Sequence, residues 1–270
     1  MDCSKKISVI MAAYNCEDTV AASIESILNQ TYKNIEFIIC DDCSNDNTYS
    51  IIKEYYDKYP EIIVLLKNEK NMKLPATLNK CLEYVTGDYV ARMDADDLSK
   101  YDRFEKQVKF LQSHPEYNLV STGVEISNGR EVIGNIILEE KPDKMSLTRN
   151  GVFSHATIMT YPYVYKELNG YSLDKYAVRV EDLDLWCRFF SKGFKGYGIQ
   201  EILYTVLEQD DTFRRRAYKY RINSMVIRIR GYKLLGIPKR YWLTACYTLI
   251  IGLIPSPIYK FLHFRKHKRS

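Results

Sequence analysis

A chain of 270 residues that is 46% hydrophobic and 27% charged can bury a sizeable core, and its composition is not that of a disordered protein. Its net charge of +5 conceals an asymmetry: residues 213–270 carry 15 Lys/Arg and no acid, whereas residues 1–212 hold 24 basic and 34 acidic residues. Seven cysteines, with one CxxC at Cys40 and Cys43 and no second pair or nearby His, argue against a disulfide framework or a structural zinc site. The first strand-like run begins at Ile7, which leaves no room for a signal peptide before it, so a reducing cytosolic setting is expected.

Apolar runs at 7–12, 35–40, 62–66 and 88–93 read as buried strands. Between them, 19–29, 48–59 and 75–85 are long enough for helices, the last with Pro75 near its first turn. This β-α-β-α-β-α-β order predicts an α/β fold with a mostly parallel sheet covered by helices on both faces. A helix is expected over 102–114, stopped by Pro115. A hairpin follows over 124–134 with its turn at Asn128-Gly129, and a further helix over 181–192. From Phe213 onward the pattern becomes helical and strongly basic, and the chain divides into a body at 1–205 and a basic, amphipathic helical tail at 206–270. Within the tail, residues 241–259 carry no charge, but Gly252, Pro255 and Pro257 interrupt them and basic residues flank both ends. That pattern fits a segment lying on an anionic membrane surface better than one crossing it or packed on the body.

In parallel sheets ligands bind at the carboxyl ends of the strands, and acids stand there. Asp41-Asp42 ends the second strand, Asp94-Ala95-Asp96-Asp97 ends the fourth, and Glu181-Asp182 opens a helix. Each alone reads as a turn or a helix cap; their joint placement suggests a site. Asp94 and Asp96 are two apart on an extended segment, so they share a face. Clustered carboxylates repel one another unless a cation such as Mg²⁺ or Mn²⁺ neutralises them, and that cation can bridge to a diphosphate. No GxxxxGK[ST] loop and no GxGxxG after a strand offers another way to hold phosphate.

Four segments together resemble glycosyltransferase family 2: ISVIMAAYN at 7–15, CDDCSNDNT at 40–48, ARMDADD at 91–97 and EDLDLW at 181–186. The resemblance covers about residues 5–205. It implies a GT-A fold, metal dependence, inversion at the anomeric carbon and, usually, a UDP-sugar donor. On the donor side it implies Ala12, Tyr14 packed on the nucleobase, Asp41 accepting from the uracil N3–H, and Asn79. Asp94 would lie near the ribose and phosphate and beside the metal, with Asp96 the direct metal ligand. Asp182 would be the general base, flanked in the acceptor cleft by Glu181 and His155. Inversion by single displacement needs one such base opposite the leaving diphosphate and no covalent nucleophile.

The sequence departs from the family pattern where Cys43 and Lys73 each stand in place of a frequent glycine, and Gln209 does not open a QxxRW motif. Arg92 and Arg103 are candidates to pair with the acidic cluster. The expectation is transfer of one sugar to a saccharide acceptor, lipid-linked at the cytoplasmic face of the membrane, in cell-surface polysaccharide assembly, with no nucleic-acid partner. Two alternatives are a sugar-nucleotide-forming nucleotidyltransferase, which would need a glycine-rich basic signature where Ala12-Ala13-Tyr14-Asn15 stands, and a nucleic-acid-binding protein using the basic tail.

Overall fold

The computed structural model describes residues 2–149, 151–207 and 218–252. Four strands, β1 (Ile7–Ala13), β2 (Ile35–Asp41), β3 (Ile63–Lys67) and β4 (Tyr89–Asp94), pair in parallel in the order β3-β2-β1-β4. They are joined by helices α1 (Val20–Leu28), α2 (Thr48–Lys58) and α3 (Leu74–Leu82), each within a few residues of its expected position. Alternation along β1 explains the layering. Ile7, Val9 and Met11 join a core with α1, α2 and α4 (Arg103–Ser113), while Ile10 faces α3 on the other side. All four are fully buried, each contributing about 1.5–3 kcal/mol.

Beyond β4 the sheet becomes mixed. It continues through β8 (Met159–Thr160) and β6 (Leu119–Ser127) to β9 (Gly196–Leu207) and β5 (Leu98–Ser99), with β7 (Val132–Ile136) forming the expected hairpin on β6. β8 runs antiparallel to both β4 and β6, whereas β6 and β9 are parallel. The parallel character read from the sequence thus belongs to the first four strands, and β9, twelve residues long, extends two residues past the expected domain edge at 205.

Helices α5 (Pro162–Glu167) and α6 (Glu181–Ser191) cover the same face as α3. Helix α7 (Tyr218–Leu234) lies on α6, and α8 (Trp242–Gly252) packs on α7. Tyr232, Leu235, Ile237 and Ala245 sit in the core with Trp186 and Cys187, so this basic segment is built onto the body. Gly231 permits the approach: a Cβ there would meet the Cys187 Sγ at 2.2 Å. No helix among the described residues is long and apolar enough to cross a membrane. The last seven residues of the uncharged run, 253–259, and the segment containing Gln209 lie outside the described residues.

Candidate active site

The ends of three strands bring together Ala12, Tyr14, Asp41 and Asp94, four of the residues expected on the donor side. In register, Ala12 of β1 faces Cys40 of β2 and Asp94 of β4, and Ala13 faces Asp41. Asp41 and Asp94 therefore flank the end of β1, two strand spacings or roughly 10 Å apart. Tyr14, just past the strand, is 44% exposed. Asp41 has no exposure. Its Oδ2 accepts from the Ser44 N–H at 3.2 Å, while its Oδ1 is buried with no hydrogen-bond partner.

Asp42 does different work. Its carboxylate accepts from Asn68 Nδ2 at 2.8 Å and from the backbone N–H groups of Met72 and Lys73 at 2.7 and 2.9 Å, which fixes the loop leading into α3. The two departures from glycine now have a geometry. Cys43 sits at φ 60°, and Lys73 at φ 72°, ψ 161°, a conformation almost confined to glycine.

At the end of β4, Asp94, Asp96 and Asp97 offer carboxylate oxygens that all lie within 4.8 Å of one another. Arg92, itself buried, grips Asp94 with two nitrogens at 2.6 and 3.0 Å, and the Asp94 N–H donates to the Tyr204 hydroxyl of β9 at 3.1 Å. Asp97 is tied to the end of β9 by the Leu207 N–H at 3.0 Å; burial, then the charges of Asp94 and Asp96, push its carboxyl up to about 8. Three carboxylates placed this closely form a set of hard oxygen donors that fits a divalent cation such as Mg²⁺ or Mn²⁺. Arg103 does not join this cluster. Its Nη2 donates to the Arg92 carbonyl at 3.0 Å, its guanidinium lies over the rings of Phe104 and Tyr204, and burial lowers it to about 10.

The residues expected on the acceptor side lie within electrostatic reach of Arg92. Glu181 and Asp182 open α6; burial raises both carboxyls, and the Asp182 Oδ1 accepts from the Leu183 N–H at 2.7 Å. His155 bonds through Nε2 to the Tyr171 hydroxyl at 2.9 Å and meets Trp186 edge to face. Burial, and then the charge of Arg92, hold this histidine well below its usual range, so it is neutral at pH 7. Arg92 also acts electrostatically on Glu181 and Asp182, linking the two halves of the site. Asn79 contacts neither half directly. Its amide bonds the backbone N–H and C=O of Tyr171 at 2.7 and 2.9 Å, so it holds the residue that holds His155.

Sequence reading missed Asp97 as an individual cluster member and Tyr204. The first was visible in the acidic run. The second arrives from β9, an element whose partners no local pattern announces.

Comparison with known proteins shows the family and the fold. The profile of Glycosyl transferase family 2 matches residues 8–164. The chain is similar to EpsE of Bacillus subtilis (strain 168), named as a glycosyltransferase, with 42% identity over 98% of this chain and 96% of EpsE. It is 34% identical, over 70% of this chain and 72% of the relative, to the UDP-Glc:alpha-D-GlcNAc-diphosphoundecaprenol beta-1,3-glucosyltransferase WfaP of Escherichia coli. Among solved structures, S. aureus TarS 1–349 in complex with UDP-GlcNAc superposes with a TM-score of 0.69, covering 92% of this chain and 82% of that one at 16% identity, which establishes the GT-A fold.

Proposed function

The chain belongs to glycosyl transferase family 2, and from that premise we propose that it transfers a sugar from a UDP-sugar, with inversion, to a lipid-linked saccharide during cell-surface polysaccharide assembly. The observation that carries the donor reading is the pair of sites flanking the end of β1. On one side the Asp41 Oδ1 is buried and unpartnered; on the other stand the clustered carboxylates of Asp94, Asp96 and Asp97. A nucleoside diphosphate spans such a gap. Its base would lie by Tyr14 with an N–H donated to Asp41, and its diphosphate would lie by the acids.

Asp96 and Asp97, with Asp94 braced by Arg92, would hold a divalent cation, which supplies charge stabilisation to the departing diphosphate. The remaining chemistry falls to the chain's own groups. Asp182 accepts the proton of the acceptor hydroxyl; its raised carboxyl is a better base than an exposed aspartate. Neutral His155, fixed by Tyr171, gives the cleft a hydrogen-bonding wall that adds no charge.

The acceptor class rests on the similarity to WfaP, whose name specifies a diphosphoundecaprenol-linked sugar, and on the outer face of α8. There Leu243 and Tyr247 are 77% and 59% exposed, four residues apart on one side of the helix. Such a face beside the basic residues Lys239 and Arg240 suits the anionic inner surface of a membrane.

The test is calorimetric titration of UDP with and without Mn²⁺, followed by hydrolysis of UDP-, GDP- and dTDP-sugars. UDP binding that requires metal and is lost in Asp96→Ala is expected. Metal-dependent binding that is undiminished in that variant would place the metal elsewhere and overturn the assignment.

A further inference from the structure

Asp182 lines a cavity of about 280 Å³ to which α7 contributes Ser224 and Arg228. Arg179, Trp186 and Gly151 are among the other residues that line it. Arg228 is half-buried, and its hydrogen bonds go to neutral oxygens: Nη1 donates to the Leu147 carbonyl and, at 3.4 Å, to the Tyr232 hydroxyl. Its Nε is buried with no partner. Among the described residues no carboxylate lies within ion-pair distance of it. The other arginines withdrawn from solvent also leave an N–H over, but Arg92 pairs with Asp94, Arg188 pairs with Asp184, and Arg103 lies over two aromatic rings. The opposite charge that acts on Arg228 is Asp182, which shares its cavity without forming an ion pair. A partly buried guanidinium with no contact counter-ion is costly, and an anion entering that cavity would complete its pairing.

We infer that Arg228, with Ser224 and Arg179, binds a phosphate carried by the acceptor, so that the acceptor is a sugar phosphate or diphosphate. The inference rests on the glycosyltransferase reading, since it places that phosphate in the cavity of the proposed base. The chemistry of the cavity orients the molecule. Asp182 repels an anion and attracts a hydroxyl proton, whereas Arg228 and Arg179 do the reverse. A sugar lying between them presents a hydroxyl to the carboxylate and its phosphate to the guanidinium fork, whose planar donors match phosphate oxygens. Helix α7 thereby closes the acceptor pocket, with a residue 46 positions beyond the base and outside the segment matched by the family profile.

The experiment uses the full chain in EDTA, so that no metal can recruit phosphate to the Asp94–Asp97 cluster. Geranyl diphosphate and inorganic pyrophosphate are titrated separately into wild type, Arg228→Met, Ser224→Ala and Arg179→Gln, with thermal melts to verify folding. Wild type is expected to bind geranyl diphosphate, at least tenfold more tightly than Arg228→Met and a few-fold more tightly than the other two. Equal binding of pyrophosphate would assign recognition to the phosphate alone, and tighter geranyl diphosphate would add the lipid; either supports the inference if it depends on these side chains. If Arg228→Met does not fold, the Ser224 and Arg179 variants decide. Binding unchanged by the substitutions, or absent without metal, overturns it. Titration of UDP with Mn²⁺ on the same wild-type sample separates the two readings, because failure there strikes the donor assignment and leaves the anion pocket untouched.

Discussion

Replacing Asp182 by Asn moves activity and stability in opposite directions. The carboxyl of Asp182 is raised above its ordinary value of 3.8, first by burial. The folded state thus disfavours its charge. Below pH 3.8 the group is protonated in both the folded and unfolded chains and costs nothing. As pH rises from there through the elevated folded value, the unfolded chain releases its proton more readily and stability is lost; above that value the loss is complete. Asn carries no charge at any pH, so the variant should be more stable than wild type at pH 7, and the gain should vanish near pH 3.8 and below.

Activity follows the opposite sign. Loss of a general base costs roughly 10²–10⁴ in rate, which is about 2.7–5.4 kcal/mol at 1.36 per decade. The neighbours offer little rescue. Glu181 projects about 100° away around the helix, and the Asp184 Oδ2 is held by Arg188 at 2.7 Å. Wild-type kcat should also fall as pH is lowered towards the raised Asp182 value, and the residual activity of the Asn variant should lack that limb. The assays are kcat for transfer and UDP-sugar affinity across pH, with urea midpoints for both proteins. If Asp182 only complements the positive end of its helix, Asn would serve nearly as well. Near wild-type kcat would refute the base assignment, and a variant less stable at pH 7 would refute the burial cost assigned to the Asp182 carboxylate.

Three further outcomes are expected. Lys73→Gly relieves a backbone conformation that costs about 1–3 kcal/mol in a residue with a side chain, so its melting temperature should rise by a few degrees, and an unchanged or lower melt would mean that Lys73 does not hold φ 72°. Gly231→Ala drives a methyl into the Cys187 Sγ and should destabilise by about 1–3 kcal/mol, or roughly 2–12 °C in a chain of this size; an unchanged melt would mean that α7 does not seat on α6 as described. Exchanging Leu243 and Tyr247 for Glu and Ser should weaken co-sedimentation with anionic vesicles several-fold, and equal sedimentation would remove α8 from the membrane contact.

The first four strands, the helices between them and the acidic strand ends were legible in the sequence because each is a local signal. A run such as ISVIMAA has few fates other than a buried strand, and an acid at its end lies at the sheet's binding edge whatever surrounds it. The tertiary structure decided what depends on distant partners. The β9 run contains Gly, Gln and Glu, yet pairing with both β6 and β5 makes it a strand. Lys73 takes up a glycine conformation where the Asp42 carboxylate grips the backbone at Met72 and Lys73. Asn79, 92 residues before Tyr171, supports His155 through that residue. Arg228 was one of 15 basic residues in a charged tail until helix packing withdrew it from water beside Asp182. Composition can count such charges, but only burial makes one of them need a partner.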